Sequence, residues 1–232
     1  MEYKILVADD EKEIRELLRL YLENSGYTVI EAEDGQQALD VLRREKIDLC
    51  LLDIMMPKLD GYRVLQELRK ESNIPVVILS AKDADSEKIL GLNLGADDYM
   101  TKPFNPLELV ARVKSQIRRN TQLSSVDTAT EKNYEVGGLL IQDDLKRVFV
   151  DGDEVKLTPI EYNILLFLVK NKGKVFSINQ IYENIWNEEA IGADNTVAVH
   201  IRHIREKIEI NPKDPRYLKV VWGVGYKIDY EK

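Results

Sequence analysis

The chain has 232 residues, of which 44% are hydrophobic and 32% charged, and its formal net charge is −8 at pH 7. This length accommodates one large or two medium domains with sizeable cores, and the composition is that of an ordinary soluble globular protein. The acidic balance argues against a generally basic nucleic-acid binder, although an average charge can conceal a local patch. The single cysteine, Cys50, excludes disulfides within the chain and cysteine-ligated zinc.

No apolar run approaches the roughly 20 residues that are needed to span a bilayer. The N-terminus, "MEYKILVADD", lacks the basic start and apolar stretch of an export signal. We therefore expect no membrane insertion and a cytoplasmic location.

Residues 3–119 alternate short apolar runs with amphipathic stretches, which is the rhythm of a parallel sheet covered by helices on both faces. The first helix carries its apolar residues at helical spacing and is closed by Gly26. The last begins with Asn105 as cap and Pro106 at its first position. The pattern predicts an α/β domain with a doubly wound, five-stranded parallel sheet.

Four strand-like runs of this region end on a polar side chain. "KILVADDE" ends on Asp9 and Asp10, "DLCLLDIMMP" on Asp53, "PVVILSA" on Ser80 and "DDYMTKP" on Lys102. Singly, each has an ordinary structural explanation as a turn residue, helix cap or loop lysine. With the strand order 2-1-3-4-5, however, all of them meet at one edge of the sheet.

This set of side chains suits phosphoryl transfer. The three carboxylates can hold one Mg²⁺, which prefers oxygen ligands and retains several waters. Asp53 can be the nucleophile that forms an acyl phosphate. Lys102 and the Ser80 hydroxyl would then stabilise the phosphoryl oxygens.

Residues 3–119 resemble the receiver domain of bacterial two-component response regulators, through the acidic pair, "DIMMP", Ser80 and "GADDYMTKPF". The resemblance implies that Asp53 accepts a phosphoryl group from a phosphohistidine of a cognate sensor histidine kinase. It also implies that Ser80 and Tyr99 form a switch pair, in which the aromatic ring rotates inward. The pattern alone marks Tyr99 only as a strand residue.

The segment "TQLSSVDTATEKN", residues 121–133, is polar, rich in Ser and Thr, and without any period. We interpret it as a flexible linker. It separates a receiver domain over residues 1–120 from a second domain over residues 134–232.

The second domain begins with three short strand candidates, "GLLIQ", "RVFVDG" and "DEVKL". Two capping boxes, Thr158 with Glu161 and Ser177 with Gln180, start the first two of three helices. The third helix runs from about residue 196 to 208, and "YLKVVWGVGYKI" reads as a hairpin. Three helices followed by a hairpin predict a winged helix-turn-helix of the α+β class.

A winged helix most often binds DNA through its third helix, which enters the major groove. At 100° per residue, the isoleucines of this helix share one face with Val197 and should be buried. The opposite face carries Val199, Arg202, His203 and Glu206, with Arg205 at its margin. A solvated face is the ordinary alternative, but an outward Val suits contact with a thymine methyl.

Residues 134–232 resemble the DNA-binding domain of the OmpR/PhoB subfamily, in "LTPIEYNIL", "NTVAVHIRHIREKI" and "VVWGVGYKI". The resemblance implies promoter DNA with tandem half-sites and RNA polymerase as partners. The implied DNA-binding residues are Thr196, Val199, His200, Arg202, His203, Arg205, Trp222 and Tyr226, of which Thr196, His200, Arg202 and Arg205 would mostly contact phosphate or sugar.

Trp222 is a departure from the subfamily, because the wing position that reaches the minor groove is commonly Arg. Together with His203 it resembles the Gram-positive branch of vancomycin-resistance regulators.

The resemblance further implies that phosphorylated receivers form a homodimer through the fourth and fifth helices and the strand between them. The matching pairs are Lys88 with Glu108, Asp97 with Arg119 and Asp98 with Arg112, around Ile89, Leu92 and Ala111.

These patterns predict a phosphorylation-switched transcription factor and not an enzyme. A phosphatase of the haloacid-dehalogenase type also uses an aspartyl nucleophile and Mg²⁺, but needs a second Asp two residues later, where this chain has Met55. A regulator that binds DNA constitutively, without using its phosphorylation site, is the remaining alternative.

Overall fold

The computed structural model describes residues 3–81, 85–121, 133–186 and 194–229. The chain divides into two compact units, Met1–Arg118 and Arg119–Lys232, called here the first and second unit. The predicted linker falls almost entirely on residues 122–132, which lie outside the described residues. In the part of the chain that is described, no helix has the length and apolar character needed to cross a membrane.

The first unit is a five-stranded parallel sheet with the order β2-β1-β3-β4-β5, which confirms the predicted doubly wound α/β fold. The strands are β1 (Lys4–Ala8), β2 (Thr28–Ala32), β3 (Leu49–Asp53), β4 (Val76–Ser80) and β5 (Asp98–Thr101). The helices are α1 (Lys12–Glu23), α2 (Gly35–Arg44), α3 (Gly61–Glu71), α4 (Asp85–Asn93) and α5 (Pro106–Thr121).

The two central strands β3 and β4 are buried along their whole length, as expected for strands covered by helices on both faces. Cys50 lies within β3, fully buried, and burial raises the pKa of its thiol to about 12. On α1 the buried residues are Leu18, Leu22 and, unexpectedly, Arg15.

The second unit is a winged-helix domain with a four-stranded antiparallel sheet, three helices and a hairpin. Its elements are β6 (Asn133–Val136), β7 (Leu139–Gln142), β8 (Arg147–Val150), β9 (Asp153–Val155), α6 (Pro159–Lys170), α7 (Ile178–Trp186), α8 (Asp194–Ile208), β10 (Leu218–Val221) and β11 (Gly225–Ile228). Strand β6 was not predicted, because it spans four residues and only Val136 is buried.

Both predicted capping boxes are present. The Thr158 backbone N–H donates to Glu161 Oε2 at 2.8 Å, and the Ser177 N–H donates to Gln180 Oε1 at 2.9 Å. Each helix therefore begins where its local sequence predicts. The core between the helices contains Trp186 and the isoleucines of α8.

Candidate phosphorylation site and DNA-binding surface

Carboxylates from the ends of β1 and β3 meet at one edge of the first sheet. Asp9 and Asp53 are buried and Asp10 is exposed, and each offers an oxygen within 4.8 Å of the others. Ser80, at the end of the neighbouring strand β4, is fully buried. The strand order thus brings the predicted residues together at the crevice where an open parallel sheet binds its ligand.

Lys102 follows β5 and supplies the positive charge of the site. Its Nζ lies 2.8 Å from Asp9 Oδ2 and 3.3 Å from Asp53 Oδ2, and it donates to Glu11 Oε1 at 3.2 Å. Burial raises the pKa of both Asp9 and Asp53, and the charge of Lys102 offsets this only in part. Burial would lower the pKa of Lys102, but its bonds to the carboxylates raise it instead.

The loop after β3 is held in place by a close backbone contact. A Cβ at position 61 would lie 2.1 Å from the carbonyl oxygen of Asp53, so that only glycine fits there. The Gly61 N–H donates to the Ile54 carbonyl at 2.9 Å, and the Ile54 N–H donates to Asp53 Oδ1 at 2.8 Å. Helix α3 therefore starts directly against the backbone of Asp53 and Ile54. The Ile54 N–H of this backbone in turn fixes the Asp53 carboxylate.

The site has the donor set that Mg²⁺ prefers. All three candidate ligands are carboxylates, and Asp10 leaves one side open to water. Mg²⁺ is bound in proteins by one or two carboxylates together with several waters and phosphate oxygens. The residues present therefore fit this ion.

The predicted switch residue Tyr99 is buried in this structure, with 7% of its surface exposed. Its ring lies against Gly91 of α4, where an added Cβ would be 3.5 Å from the ring and 2.6 Å from Ile78 Cδ1. Next to it, the Tyr62 hydroxyl donates to Glu87 Oε2 at 2.6 Å. Burial and this bond raise the pKa of Tyr62. The Tyr99 ring thus occupies the inward position that is expected of the switch residue.

The candidate dimer face contains an ion-pair network that is already formed within one chain. Arg112 Nη1 lies 3.0 Å from Asp98 Oδ2, and Arg112 Nη2 lies 3.1 Å from Glu108 Oε1. Glu108 and Ala111 are exposed on α5. On α4, Lys88 and Ile89 are half-buried.

Three residues assigned to this face lie in the interior instead, one of which is Asp98 with 4% exposure. Leu92 is fully buried in α4, while the neighbouring Leu90 is 42% exposed. Asp97 is also fully buried, because Arg69 Nη2 and the Val76 N–H both bind its Oδ2 at 2.9 Å. The prediction that Leu92, Asp97 and Asp98 lie on the pairing surface is therefore wrong for this structure. The side chain of Arg119 lies outside the described residues.

The predicted outward face of α8 is wrong in one important respect. Val199 is only 8% exposed, whereas Arg202 and Glu206 are exposed and Ala198 and Arg205 are half-buried. Helix α8 packs against both α6 and α7, so that it buries two sides and not one apolar stripe. The exposed face therefore centres on Arg202, about 60° from the predicted position of Val199 at 100° per residue.

Three other candidate DNA contacts on α8 are buried as well. Thr196 is 2% exposed, His200 1% and His203 8%. The His200 ring lies 5.8 Å from the Trp186 ring, and His203 Nδ1 lies 3.7 Å from Glu161 Oε1. Burial lowers the pKa of His203. These side chains belong to the contacts between helices, so they are not available to DNA in this conformation.

Arg205, the second arginine of the candidate face, is bound within the protein. Its Nε donates to the Leu218 carbonyl at 2.9 Å, and its guanidinium lies 5.8 Å from the centre of the Tyr226 ring. It therefore joins α8 to the wing. Trp222, at the tip of the wing, is 88% exposed.

Two buried carboxylates of the second unit, Glu209 and Asp143, could not be predicted from the sequence. Glu209, directly after α8, accepts backbone N–H groups from Arg216, Tyr217 and Leu218 at 2.7, 3.0 and 2.8 Å. It thereby fixes the start of β10 to the end of α8. The only indication of its burial in the sequence is its position next to Ile208, which is buried.

Asp143, after β7, is 6% exposed. It accepts hydrogen bonds from Tyr162 at 2.8 Å, from Lys170 at 2.9 Å and from Lys146. Burial works against its charge, but these donors hold the pKa of Asp143 at about 2. Nothing in the local sequence distinguishes it from an ordinary turn residue.

Two family models match the chain, one in each unit. Residues 5–114 match the response regulator receiver domain, and residues 152–228 match the C-terminal domain of transcriptional regulatory proteins.

Similar proteins cover the whole chain. It is 46% identical to the regulatory protein VanRc of Enterococcus gallinarum and 44% identical to VanR of Enterococcus faecium, in each case over 99% of this chain and 100% of the relative. The crystal structure of DrrB, an OmpR/PhoB homolog of Thermotoga maritima, is 33% identical over 99% of this chain and 100% of that chain, with a TM-score of 0.53. The chain therefore belongs to the OmpR/PhoB family of response regulators, in its VanR-like branch, and is a phosphorylation-dependent transcriptional regulator of a two-component system.

Proposed function

We propose that Asp53 is the phosphoacceptor and that Asp9, Asp10 and Asp53 bind Mg²⁺. The observation that carries this proposal is the convergence of Asp9 and Asp53 on the Lys102 ammonium, which lies 2.8 Å from Asp9 Oδ2 and 3.3 Å from Asp53 Oδ2, at the ends of separate strands. Asp9 and Asp53 are both buried, and each accepts a backbone N–H of its own loop, from Glu11 at 3.0 Å and from Ile54 at 2.8 Å. Asp53 is the one that ends the central strand β3.

The reaction is the transfer of one phosphoryl group from a phosphohistidine of a sensor histidine kinase. A carboxylate oxygen of Asp53 attacks the phosphorus, the bond between phosphorus and the histidine nitrogen breaks, and an acyl phosphate forms. When bound, Mg²⁺ supplies positive charge to the phosphoryl oxygens. Lys102 neutralises the phosphoryl group from the opposite side, and the Ser80 hydroxyl donates a hydrogen bond to one of its oxygens.

The switch would act on the face formed by α4, β5 and α5. Drawing Ser80 toward the phosphoryl group keeps Tyr99 in its inward position against Gly91. The surface pair Lys88 with Glu108 then forms between two chains, around Ile89 and Ala111. Within one chain Arg112 already joins the buried Asp98 to the exposed Glu108, so dimerisation exchanges an existing partner of Glu108 for an equivalent one. The net gain per exposed pair is about 0 to 1 kcal/mol.

The dimer would bind tandem half-sites in promoter DNA and act with RNA polymerase in the cytoplasm, without catalytic turnover of its own. Of the candidate DNA residues, the exposure of Arg202 and Trp222 supports a direct role for these two. Tyr226 and Arg205 would position the wing.

The test is phosphorylation with acetyl phosphate and Mg²⁺, followed by intact-protein mass spectrometry. The wild type should gain one phosphoryl group and Asp53→Asn none, because its amide is not nucleophilic. Asp60→Asn is the matched control, since the Asp60 carboxylate caps α3 by accepting the Arg63 N–H at 2.9 Å. Undiminished labelling of Asp53→Asn would overturn the assignment.

Sedimentation of the same samples tests the dimer. Phosphorylated wild type should dimerise and Arg112→Glu should stay monomeric, while Arg63→Glu, an exposed change on α3, should behave as the wild type. Dimerisation of phosphorylated Arg112→Glu would show that another surface pairs.

A further inference from the structure

Arg15 of α1 places its guanidinium beneath the two peptides that carry the acidic pair. Its Nη1 donates to the carbonyl oxygen of Asp9 at 2.7 Å and to that of Asp10 at 3.0 Å. The residue is only 8% exposed, and its bond to the Asp9 carbonyl is buried. One side chain thus binds the backbone of two of the three carboxylates of the site.

The guanidinium is itself held in place by the edge strand β2. Arg15 Nε donates to Glu31 Oε2 at 3.3 Å, and the other oxygen of Glu31 lies 2.8 Å from Arg19 Nη1. From the opposite side, the Asp9 N–H donates to the Ala32 carbonyl at 3.1 Å. The acidic peptide is therefore fixed on both its carbonyl and its amide side.

We propose that Arg15 is a positioning residue for the divalent-cation site, which sets the directions in which Asp9 and Asp10 present their carboxylates. This inference rests on the proposed binding of Mg²⁺ by Asp9, Asp10 and Asp53. Loss of the guanidinium leaves two carbonyl groups without their donor, one of them buried, so the peptides turn to find new partners. The carboxylates turn with them.

Positioning and charge predict effects of opposite sign, which makes the proposal testable. Arg15 carries a positive charge close to a cation site, and by Coulomb's law alone its removal should tighten cation binding. A residue that orients metal ligands instead weakens binding when it is removed, by about 10- to 100-fold. We expect divalent-cation affinity to fall by about tenfold in Arg15→Met.

The experiment is a titration with Mn²⁺, which accepts the same carboxylate ligands as Mg²⁺. Electron paramagnetic resonance measures free Mn²⁺ directly, so no phosphorylation is required. Arg19→Met is the matched control, because Arg19 shares Glu31 with Arg15 but binds Glu31 from the exposed side. Arg15→Lys keeps the charge but loses the Nε bond to Glu31 Oε2 and the rigid planar guanidinium that holds Nη1 against the two carbonyls.

Arg15→Met and Arg15→Lys should both bind Mn²⁺ more weakly than the wild type, while Arg19→Met should not differ. Unchanged or tighter binding by a folded Arg15→Met overturns the proposal, and equal loss in Arg19→Met does so too. If Arg15→Met does not fold, unchanged binding by Arg15→Lys overturns it. Asp10→Asn separates the two levels: if it binds Mn²⁺ as the wild type does, the metal site itself is wrong and the inference falls with it.

Discussion

The candidate phosphorylation site of the first unit and the framework of the second unit use buried carboxylates in opposite ways. In the first unit, Asp9 and Asp53 lie side by side with Lys102 as their shared counter-charge, and burial raises the pKa of both carboxyl groups. Like charges are held together although the surroundings disfavour them. Such an arrangement is typical of a site that acts on a ligand.

In the second unit, each buried carboxylate is surrounded by donors. Asp143 has two lysines and a tyrosine, and its pKa is held at about 2. Glu209 has three backbone N–H groups. These carboxylates stabilise the framework that presents α8 and the wing. Burial alone therefore does not identify a functional carboxylate. The direction in which the surroundings shift its pKa, upward for Asp9 and Asp53 and downward for Asp143, is the better guide.

The largest expected difference concerns stability. Glu209→Ala should lower the free energy of unfolding of the second unit by about 3 kcal/mol, because three backbone N–H groups lose a charged acceptor. Asp53→Asn should not destabilise the first unit, since it removes a charge that burial disfavours. Urea unfolding followed by tryptophan fluorescence reports the second unit, which contains both tryptophans, Trp186 and Trp222.

Hydrogen exchange of peptides from β3 and β4 reports the first unit. A larger loss of unfolding free energy in Asp53→Asn than in Glu209→Ala would contradict the contrast between the two units.

The pH dependence of the second unit sharpens the same contrast. The pKa of Asp143 is lowered from its ordinary value of 3.8 to about 2, so its ionised form favours the folded state. The stability from this group, about 2 kcal/mol, is present above pH 3.8 and is lost as the pH falls toward 2. Asp143→Asn should therefore be less stable than the wild type at neutral pH, and the gap should close in that acidic window.

Tryptophan fluorescence during urea unfolding at several pH values measures this gap. A gap that stays constant from pH 7 to pH 2 would mean that Asp143 acts through packing and not through its charge.

Val199 tests the packing of α8. We expect Val199→Ala to lower the stability of the second unit by about 1.5 kcal/mol, because two buried methyl groups are removed. Val224→Ala is the control, since Val224 is 56% exposed on the wing and its truncation should have almost no effect. Thermal unfolding compares the two variants, and equal stabilities would show that Val199 is exposed and not buried.

The smallest effect distinguishes the two arginines of α8. Arg202 is exposed, so Arg202→Ala should reduce the slope of log affinity against log salt by about 0.9, the value for one lost phosphate contact. Arg205 is bound to the wing, so Arg205→Met should weaken operator binding and leave the slope unchanged. Fluorescence anisotropy with operator DNA at several salt concentrations measures the affinity and the slope. A reduced slope in Arg205→Met would show that Arg205 contacts a phosphate.

The phosphorylation site could be predicted because parallel strands bury continuous apolar runs, and their ends are therefore visible in the sequence. Asp53 is the last residue of β3 and Lys102 directly follows β5, and the strand order brings both to one edge. Arg15 was missed because a single charged residue on a helix gives no local signal. Its position three residues before the buried Leu18 was the available indication.

The DNA-binding face could be predicted only in part. A helical projection assumes one buried stripe, whereas α8 contacts helices on two sides. The projection therefore predicts an exposed Val199, although an apolar residue is more often buried. Whether Arg205 binds phosphate or the wing depends on the neighbouring hairpin, which the sequence of α8 does not specify.

The burial of Cys50 has a practical consequence. A thiol that is enclosed in β3, with a pKa of about 12, does not react with maleimides at neutral pH. A single cysteine introduced at the exposed Arg63 of α3, outside the proposed pairing face, would therefore be the sole labelling position, without removal of Cys50. Donor and acceptor dyes at that position would report the association of two receivers by energy transfer, in the unaltered background of the natural sequence.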